Sequence, residues 1–447
     1  MAYSKARRLA NLASTSHGIA DDQVTTAAVA DDAITSALIA DNTIAVGNMA
    51  AGTLKTPTSE GIAIGTNALI DGSLSGNHNL AIGVEALKET EGGTHNISIG
   101  NYSLKTNTSG SSNIAIGAYT LEDSVSSNYN TCIGHNNARD LTAATGNSLV
   151  GAFVAYEATT AEYNLGMGYQ SLYNLTTANH NTALGVQSMY LNETGASNTG
   201  CGNYALYSVT GSYNSAFGYS AMNYNTTGTY NTACGIQSGF TNTTGYNNTA
   251  IGALAGYTAD GGYMNTYVGT NAGYAVTTAD YSLMLGYNSG RTDSPSGNVT
   301  TADGILCLGN NSISAFYCAD TSISSSDERD KAEITNFTHG LSWVKKMRPV
   351  TYKWDKRSWY LGEDEEDITA VTRDGSKKKD KVNIGLIAQE VLAIEQADSF
   401  SSSKDNMLVV NLNEDDTGYG IKYERIVPIL INAIKELETR LATLEAG

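Results

Sequence analysis

Ser326 and Lys331, five residues apart, are the pair in this 447-residue chain whose types fit covalent chemistry. A serine hydroxyl becomes a nucleophile only when a base takes its proton. Lysine can be that base only as the neutral amine, which calls for a buried site that depresses its pKa. Donors must also meet the oxyanion that develops on an attacked carbonyl, and the sequence does not single them out. The alternative is a solvated linker in which Asp327, Asp330 and Glu333 hold Lys331 as a charged surface partner. Ser324 and Ser325 adjoin Ser326, so the five-residue spacing alone selects the third serine. A Ser-His-Asp triad is not supported, because His339 is the one histidine beyond residue 325.

The pair sits on a seam in composition. The 325 residues before Ser326 hold no Trp and 8 of the 26 Lys and Arg; the 122 residues from Ser326 onward hold all three Trp and the other 18. Formal charge is −13 before the seam and −5 after it. Neither half has the basic surplus that phosphate backbones or anionic membranes would attract, so neither nucleic acid nor membrane is an expected partner. The five cysteines are odd in number and lack CxxC spacing, which indicates neither zinc nor a disulfide framework, and no cofactor or metal is expected. Cys201 and Cys234 fall where other repeats carry Ile, Leu or Phe and read as small core residues. Nothing resembles a signal peptide or a run of 18 apolar residues, so a soluble protein made in the cytosol is expected.

Two repeats must position the seam from the N-terminal side. After an exposed tail over residues 1–18, with Arg7 and Arg8, the steps Ile19-Ala-Asp-Asp, Val29-Ala-Asp-Asp and Ile39-Ala-Asp-Asn recur every ten residues through 19–58. Apolar positions this sparse point to intertwined partner chains. Residues 59–290 then follow a 17-residue period anchored on an apolar residue and a glycine, from Ile64-Gly65 to Leu285-Gly286. The apolar residue before each glycine reads as a column facing one core. A small residue and then Leu or Met follow three and four residues later, as in Ala68-Leu69 and Ala221-Met222, but from Gly239 this second slot is glycine, which predicts narrowing or a change of packing. Turn signals such as Asn192-Glu-Thr-Gly and Asn225-Thr-Thr-Gly, whose Asn and Gly supply left-handed positions, complete a unit predicted as two short strands and two turns, stacked into a solenoid or β-prism. Between Glu193 and Asp260 there is no charged residue, and Asn, Thr, Ser and Tyr would form the surface. Such a surface suits carbohydrate; it is also what a thin β-rod uses when its edges carry no charge. A looser segment, 291–325, leads to the seam.

Beyond Ser326 the composition is that of an α+β domain, closed by a helix in which Val427, Leu430, Ile434, Leu437, Leu441 and Leu444 alternate spacings of three and four, an a/d coiled-coil seam. With a rod upstream that needs partners, self-association is expected over packing on its own domain. Four stretches, Ser326 to Ile334, Met347-Arg-Pro-Val-Thr-Tyr-Lys-Trp354, Gly385-Leu-Ile-Ala-Gln-Glu390 and Tyr423 to Leu437, together resemble the C-terminal intramolecular chaperone domain of phage tail fibres and tailspikes, the peptidase S74 family. The resemblance covers residues 326–447. It implies a trimerising domain that guides the upstream rod into register and then cuts itself off, with Ser326 and Lys331 as a serine-lysine dyad and the scissile bond between Ser325 and Ser326. The 17-residue repeats resemble, less specifically, phage fibre shafts and the β-roll heads of trimeric bacterial adhesins.

The expected protein is therefore mostly β: a homotrimeric β-repeat shaft followed by an α+β chaperone domain ending in a trimeric coiled coil. The expected function is that of a virion tail fibre, docked to other phage proteins by its N-terminus and attaching to a host surface receptor, with a glycan as the candidate class. Its only enzymology would be a single-turnover self-cleavage. A bacterial trimeric adhesin is disfavoured by the missing signal peptide, and a glycan-degrading tailspike by the scarcity of paired carboxylates in the shaft.

Overall fold

A computed structural model describes residues 61–69, 77–313, 326–362 and 367–447. The expected tail (1–18), the ten-residue repeat (19–58), Cys318 and Ser325 lie outside the described residues. Among the described residues no helix is long and apolar enough to cross a membrane.

The fold is mostly β. Among the described residues fifteen strands, β1 (Ile62–Ile64) through β15 (Leu306–Leu308), form one sheet in strict chain order. Each pairs parallel with the next, and one turn of the coil separates register partners such as Thr232 and Thr249. This is a solenoid in which neighbouring rungs belong to the same chain. Each unit holds one three-residue strand, not two. The remaining residues form turns, which bond backbone to backbone with the turn above and below, as Leu172 N does to Ser188 O at 3.0 Å. The anchor glycines explain the strictness of the period. Gly202 has φ 144°, and a Cβ there would lie 2.3 Å from the carbonyl oxygen of Gly218 on the next rung. No other residue can hold that position without separating two rungs.

The column before the glycines does not face the core of its own chain. In each strand the middle residue points inward, as Ala81, Ala183 and Ala216 do at 0% exposure, while Ile133, Phe217 and Ile251 stand outside. A three-residue strand has one inward side chain. The coil is thin, so Ala, Ser, Gly or Cys fits there, and the larger apolar residue goes out. Cys201 and Cys234 therefore lie on the outer column, half-buried and exposed respectively, whereas Cys132 and Cys307 are the buried ones among the described cysteines. The expected pair after the glycine is core: Ala68, Leu87, Leu206 and Met222 are all buried.

Volume is traded between the two inward positions. Where the strand centre grows to Leu149, the second slots on either side shrink to Ala138 and Ala155. At the far end the centre becomes Tyr267, fully buried, and a Cβ on Gly256 or Gly273 would meet its ring at 2.6 and 2.2 Å. The expected change of packing is present, and it fills the coil instead of narrowing it.

A ladder of buried asparagines runs through the solenoid just before the strands. Asn181 N donates to Asn164 Oδ1 (2.9 Å), and Asn164 Nδ2 donates to Asn147 Oδ1 (3.1 Å) and Ala178 O (3.0 Å). The bonds from backbone N to Oδ1 and from Nδ2 to a backbone carbonyl recur from Asn79 to Asn265, ending where Ser282 N donates to Asn265 Oδ1 (2.9 Å). The Asn-x-x-Gly turns close through side chains: Asn192 Oδ1 accepts from Gly195 N at 2.8 Å and its Nδ2 donates to Gly195 O at 2.9 Å. Their glycines do not take left-handed backbone. Left-handed positions fall two and four residues after the anchor and five before it, as at Gln187, Met189 and His180. The period break after Gly290 is an insertion, because β15 adds one further rung.

Beyond Ser326 lie α1 (Leu341–Val344), the antiparallel pair β16 (Val350–Lys353) and β17 (Val382–Gly385), α2 (Ala388–Ala397), the pair β18 (Val410–Leu412) and β19 (Tyr419–Ile421), and α3 (Ile426–Ala446). Their core gathers Trp343, Val391, Ile394, Val410 and Ile429, with Phe337 and Phe400 edge-on to Trp343.

Candidate self-cleavage site

Five residues of extended chain would hold Ser326 and Lys331 far apart. A 3₁₀ turn over Glu328–Asp330 folds that distance away: Asp327 caps it by accepting from Arg329 N (2.9 Å), and Lys331 N closes it on Glu328 O (3.1 Å). Lys331 Nζ then donates to Ser326 Oγ at 2.7 Å. Asp327 pairs with Arg329 (2.6 Å), whose guanidinium hydrogen bonds hold its carboxyl below the usual carboxylate range. Among the described side chains neither Asp327 nor Glu333 forms an ion pair with Lys331, so the bland surface-partner reading fails for these two acids. Ser326 and Lys331 are both exposed in the single chain, and the burial that a neutral amine requires is not supplied by this chain's own described residues.

The other three stretches meet in the folded domain. Arg348, from the Met347–Trp354 stretch, pairs with both oxygens of Glu390 at the start of α2. Tyr423 Oη accepts from Leu386 N at 3.0 Å, and a Cβ on Gly385 would lie 2.7 Å from the same oxygen. On α3, Ile429 and Ala433 pack into the domain, and Asn432 Nδ2 donates to Phe337 O at 2.6 Å. The six a/d residues lie off that face and are exposed, Ile434 at 65% and Leu444 at 78%. The stripe does not pack on its own domain.

Two features were not read from the sequence. The first is Glu395, fully buried, whose Oε1 accepts from Val409 N (2.9 Å) and Val410 N (3.1 Å) while Oε2 accepts from Leu408 N (3.0 Å) and from Ser401 Oγ. One carboxylate thus ties α2 to β18. It is one Glu among many in a polar stretch, with no spacing to mark it. Glu395→Ala strands these donors and is expected to cost about 3–5 kcal/mol of domain stability. Trp fluorescence during denaturation of the full chain reads this domain alone, since the shaft has no Trp.

The second is a seat between the domain and the shaft tip. Asp415 Oδ2 accepts from Asn298 N at 2.8 Å, and Glu414 N donates to Ser296 O at 3.0 Å. Lys356 Nζ and Trp359 Nε1 both donate to Asn311 O, at 3.1 and 3.2 Å. Burial beside the Trp354 and Trp359 rings pulls the Lys356 amine below the ordinary lysine range. All four bonds read shaft backbone.

No curated protein and no solved structure matches the chain. One family model does match, Peptidase S74, described as chaperone of endosialidase, and its match spans residues 326–399. The part of the chain that opens on Ser326 is a Peptidase S74 chaperone domain.

Proposed function

We propose that the protein is a homotrimeric phage tail fibre that attaches the virion to its host cell, assembled by a C-terminal chaperone domain that cuts itself off between Ser325 and Ser326. The observation that carries the reading is the 2.7 Å contact from Lys331 Nζ to Ser326 Oγ at the first residue of that domain. The residues before it form a shaft, and residues 1–18 dock to another virion protein.

The trimer is supported by two apolar surfaces that a single chain leaves uncovered: the α3 stripe, and the outer strand column carrying Ile133, Met167, Phe217 and Ile251. Both run lengthwise and recur at fixed spacing, as symmetric copies side by side require. A template at the C-terminus also answers a register problem, since near-identical rungs invite slippage.

Cleavage follows from the order of residues. The amine of Lys331 takes the Ser326 hydroxyl proton, and Oγ attacks the carbonyl carbon of Ser325 through a five-membered ring. The C–N bond breaks as the nitrogen takes the proton back from the lysine, leaving an ester on Oγ and a free α-amine. Water then opens the ester, giving a carboxylate on Ser325 and restoring the serine. Because the dyad is exposed in one chain, neighbouring chains supply the desolvation, and cutting follows assembly.

Light scattering tests the trimer. In an uncut Ser326→Ala background the protein should weigh three times the 47.0 kDa chain, and adding Ile434→Asp with Leu437→Asp should reduce it to one chain. A parent that runs as a single chain would sink the proposal.

A further inference from the structure

The shaft carries two aromatic columns with opposite characters. Five residues after the anchor glycines, Tyr156, Tyr173, Tyr190 and Tyr207 stack at 5.0–5.3 Å, half-buried, with the Arg139 guanidinium 4.5 Å over the Tyr156 ring. Phe240, Tyr257 and Tyr274 continue the column and end under Arg291, 4.7 Å away. That column is accounted for as mortar between rungs, closed at each end by a cation on a ring face.

The second column is not. Tyr213, Tyr230, Tyr246, Tyr263 and Tyr281 occupy the corner before five successive strands. Tyr213, Tyr230 and Tyr281 are 53%, 57% and 59% exposed, so they bury little for the fold. These three also hold left-handed backbone (φ 62°, 57° and 53°), where Gly or Asn would be less strained and where Asn247 stands on the rung of Tyr246. The left-handed backbone itself belongs to this register along the coil, as at His180 and Ser197, so what calls for an explanation is the choice of a large ring left in solvent, which serves neither the turn nor the packing.

We propose that this corner is a binding surface for an uncharged polysaccharide lying along the shaft. Tyr213–Tyr230 and Tyr246–Tyr263 are stacked pairs with centroids 4.8 Å apart. Within each pair the rings cover one another's faces, so the ligand meets their outer edges and hydroxyls, which serve as both donors and acceptors. Tyr281 stands at 78° to Tyr263 and ends the stack. Its turned ring offers an apolar plane for the C–H face of a sugar. The rungs repeat at about the rise of one sugar unit in an extended chain, so weak contacts add along the column.

Charge selects the neutral class. The first three tyrosines lie in the stretch from Glu193 to Asp260 that holds no charged residue. At the far end Asp280 Oδ1 accepts from Tyr263 N (2.9 Å), and Asp280 N donates to Asp303 Oδ1 (2.8 Å), two carboxylates that an acidic polymer would have to approach. The inference deepens the attachment reading and rests on it for its biological role.

Affinity electrophoresis of the full chain in dextran, mannan, galactomannan and alginate tests it. At least one neutral polymer should retard the parent, equally at low and at high salt, and Tyr213→Ser/Tyr230→Ser/Tyr246→Ser should weaken that binding at least tenfold. Should the triple variant misfold, nitration of the parent decides: Tyr213 and Tyr230 should react with tetranitromethane in the free protein and be protected by the bound polymer. The proposal is overturned if no neutral polymer binds, if alginate binds best, if the folded variant binds like the parent, or if the free tyrosines are already protected, which would mean that another copy covers them. If the variant loses polymer binding yet still adsorbs to host cells, the surface is overturned as a receptor site while attachment stands.

Discussion

Ser326→Ala should leave one full-length chain on a denaturing gel, where the parent should separate into pieces of 325 and 122 residues. Lys331→Ala should do the same, because among the described residues Lys331 supplies the side-chain amine that contacts Oγ. Nothing gradual is expected: the nucleophile and its base act as a unit, so either loss abolishes the cut. The Asp327 cap of the turn that sets this spacing should hold at neutral pH. Its carboxyl is held below the ordinary range by Arg329, so the turn keeps its cap at neutral pH and loses it only as pH falls through that depressed value. Hydroxylamine adds a sharper test, because an ester at Ser326 would be intercepted and the 325-residue piece would end in a hydroxamate. A full-length band from the parent, or cutting that persists in Ser326→Ala, would remove the dyad from the account.

The second large effect belongs to the shaft. Asn164→Leu keeps the approximate size of a side chain that is 2% exposed, but it leaves Asn181 N and Ala178 O without their amide partner. The expected cost is about 2–4 kcal/mol, the penalty for stranding buried donors and acceptors. It should appear locally as lost hydrogen-exchange protection in the rungs from Asn147 to Asn181. Thr159→Ala, which removes one exposed bond to Thr176 O, is the control and should change little. Equal protection in both variants would show that backbone pairing alone holds the rungs.

The sequence shows the solenoid through its glycines, because a position that only glycine can hold recurs on every rung, 17 residues apart in all but two of the thirteen intervals. It misleads about direction. Ile133 and Phe217 are the larger apolar residues of their strands, and size suggests burial. The inside of a coil this thin admits Cys132 and Ala216 instead. The asparagines at 147, 164 and 181 are as periodic as the glycines, but Asn is so common in turns that its inward role is not legible. At the candidate site, the spacing of Ser326 and Lys331 survives because one tight turn spans it. Glu395 and Asp415 act on backbone groups distant in the chain, and no local pattern announces such partners.

The seat between the shaft tip and the chaperone domain separates two events that a gel would merge. The proposed hydrolysis would sever one covalent link, yet Asp415 on Asn298 and Lys356 with Trp359 on Asn311 do not depend on that link. The cut piece would then be a ligand of the shaft. Its departure is governed by a dissociation rate, set by a few bonds to the main chain and open to competition from whatever next binds that tip.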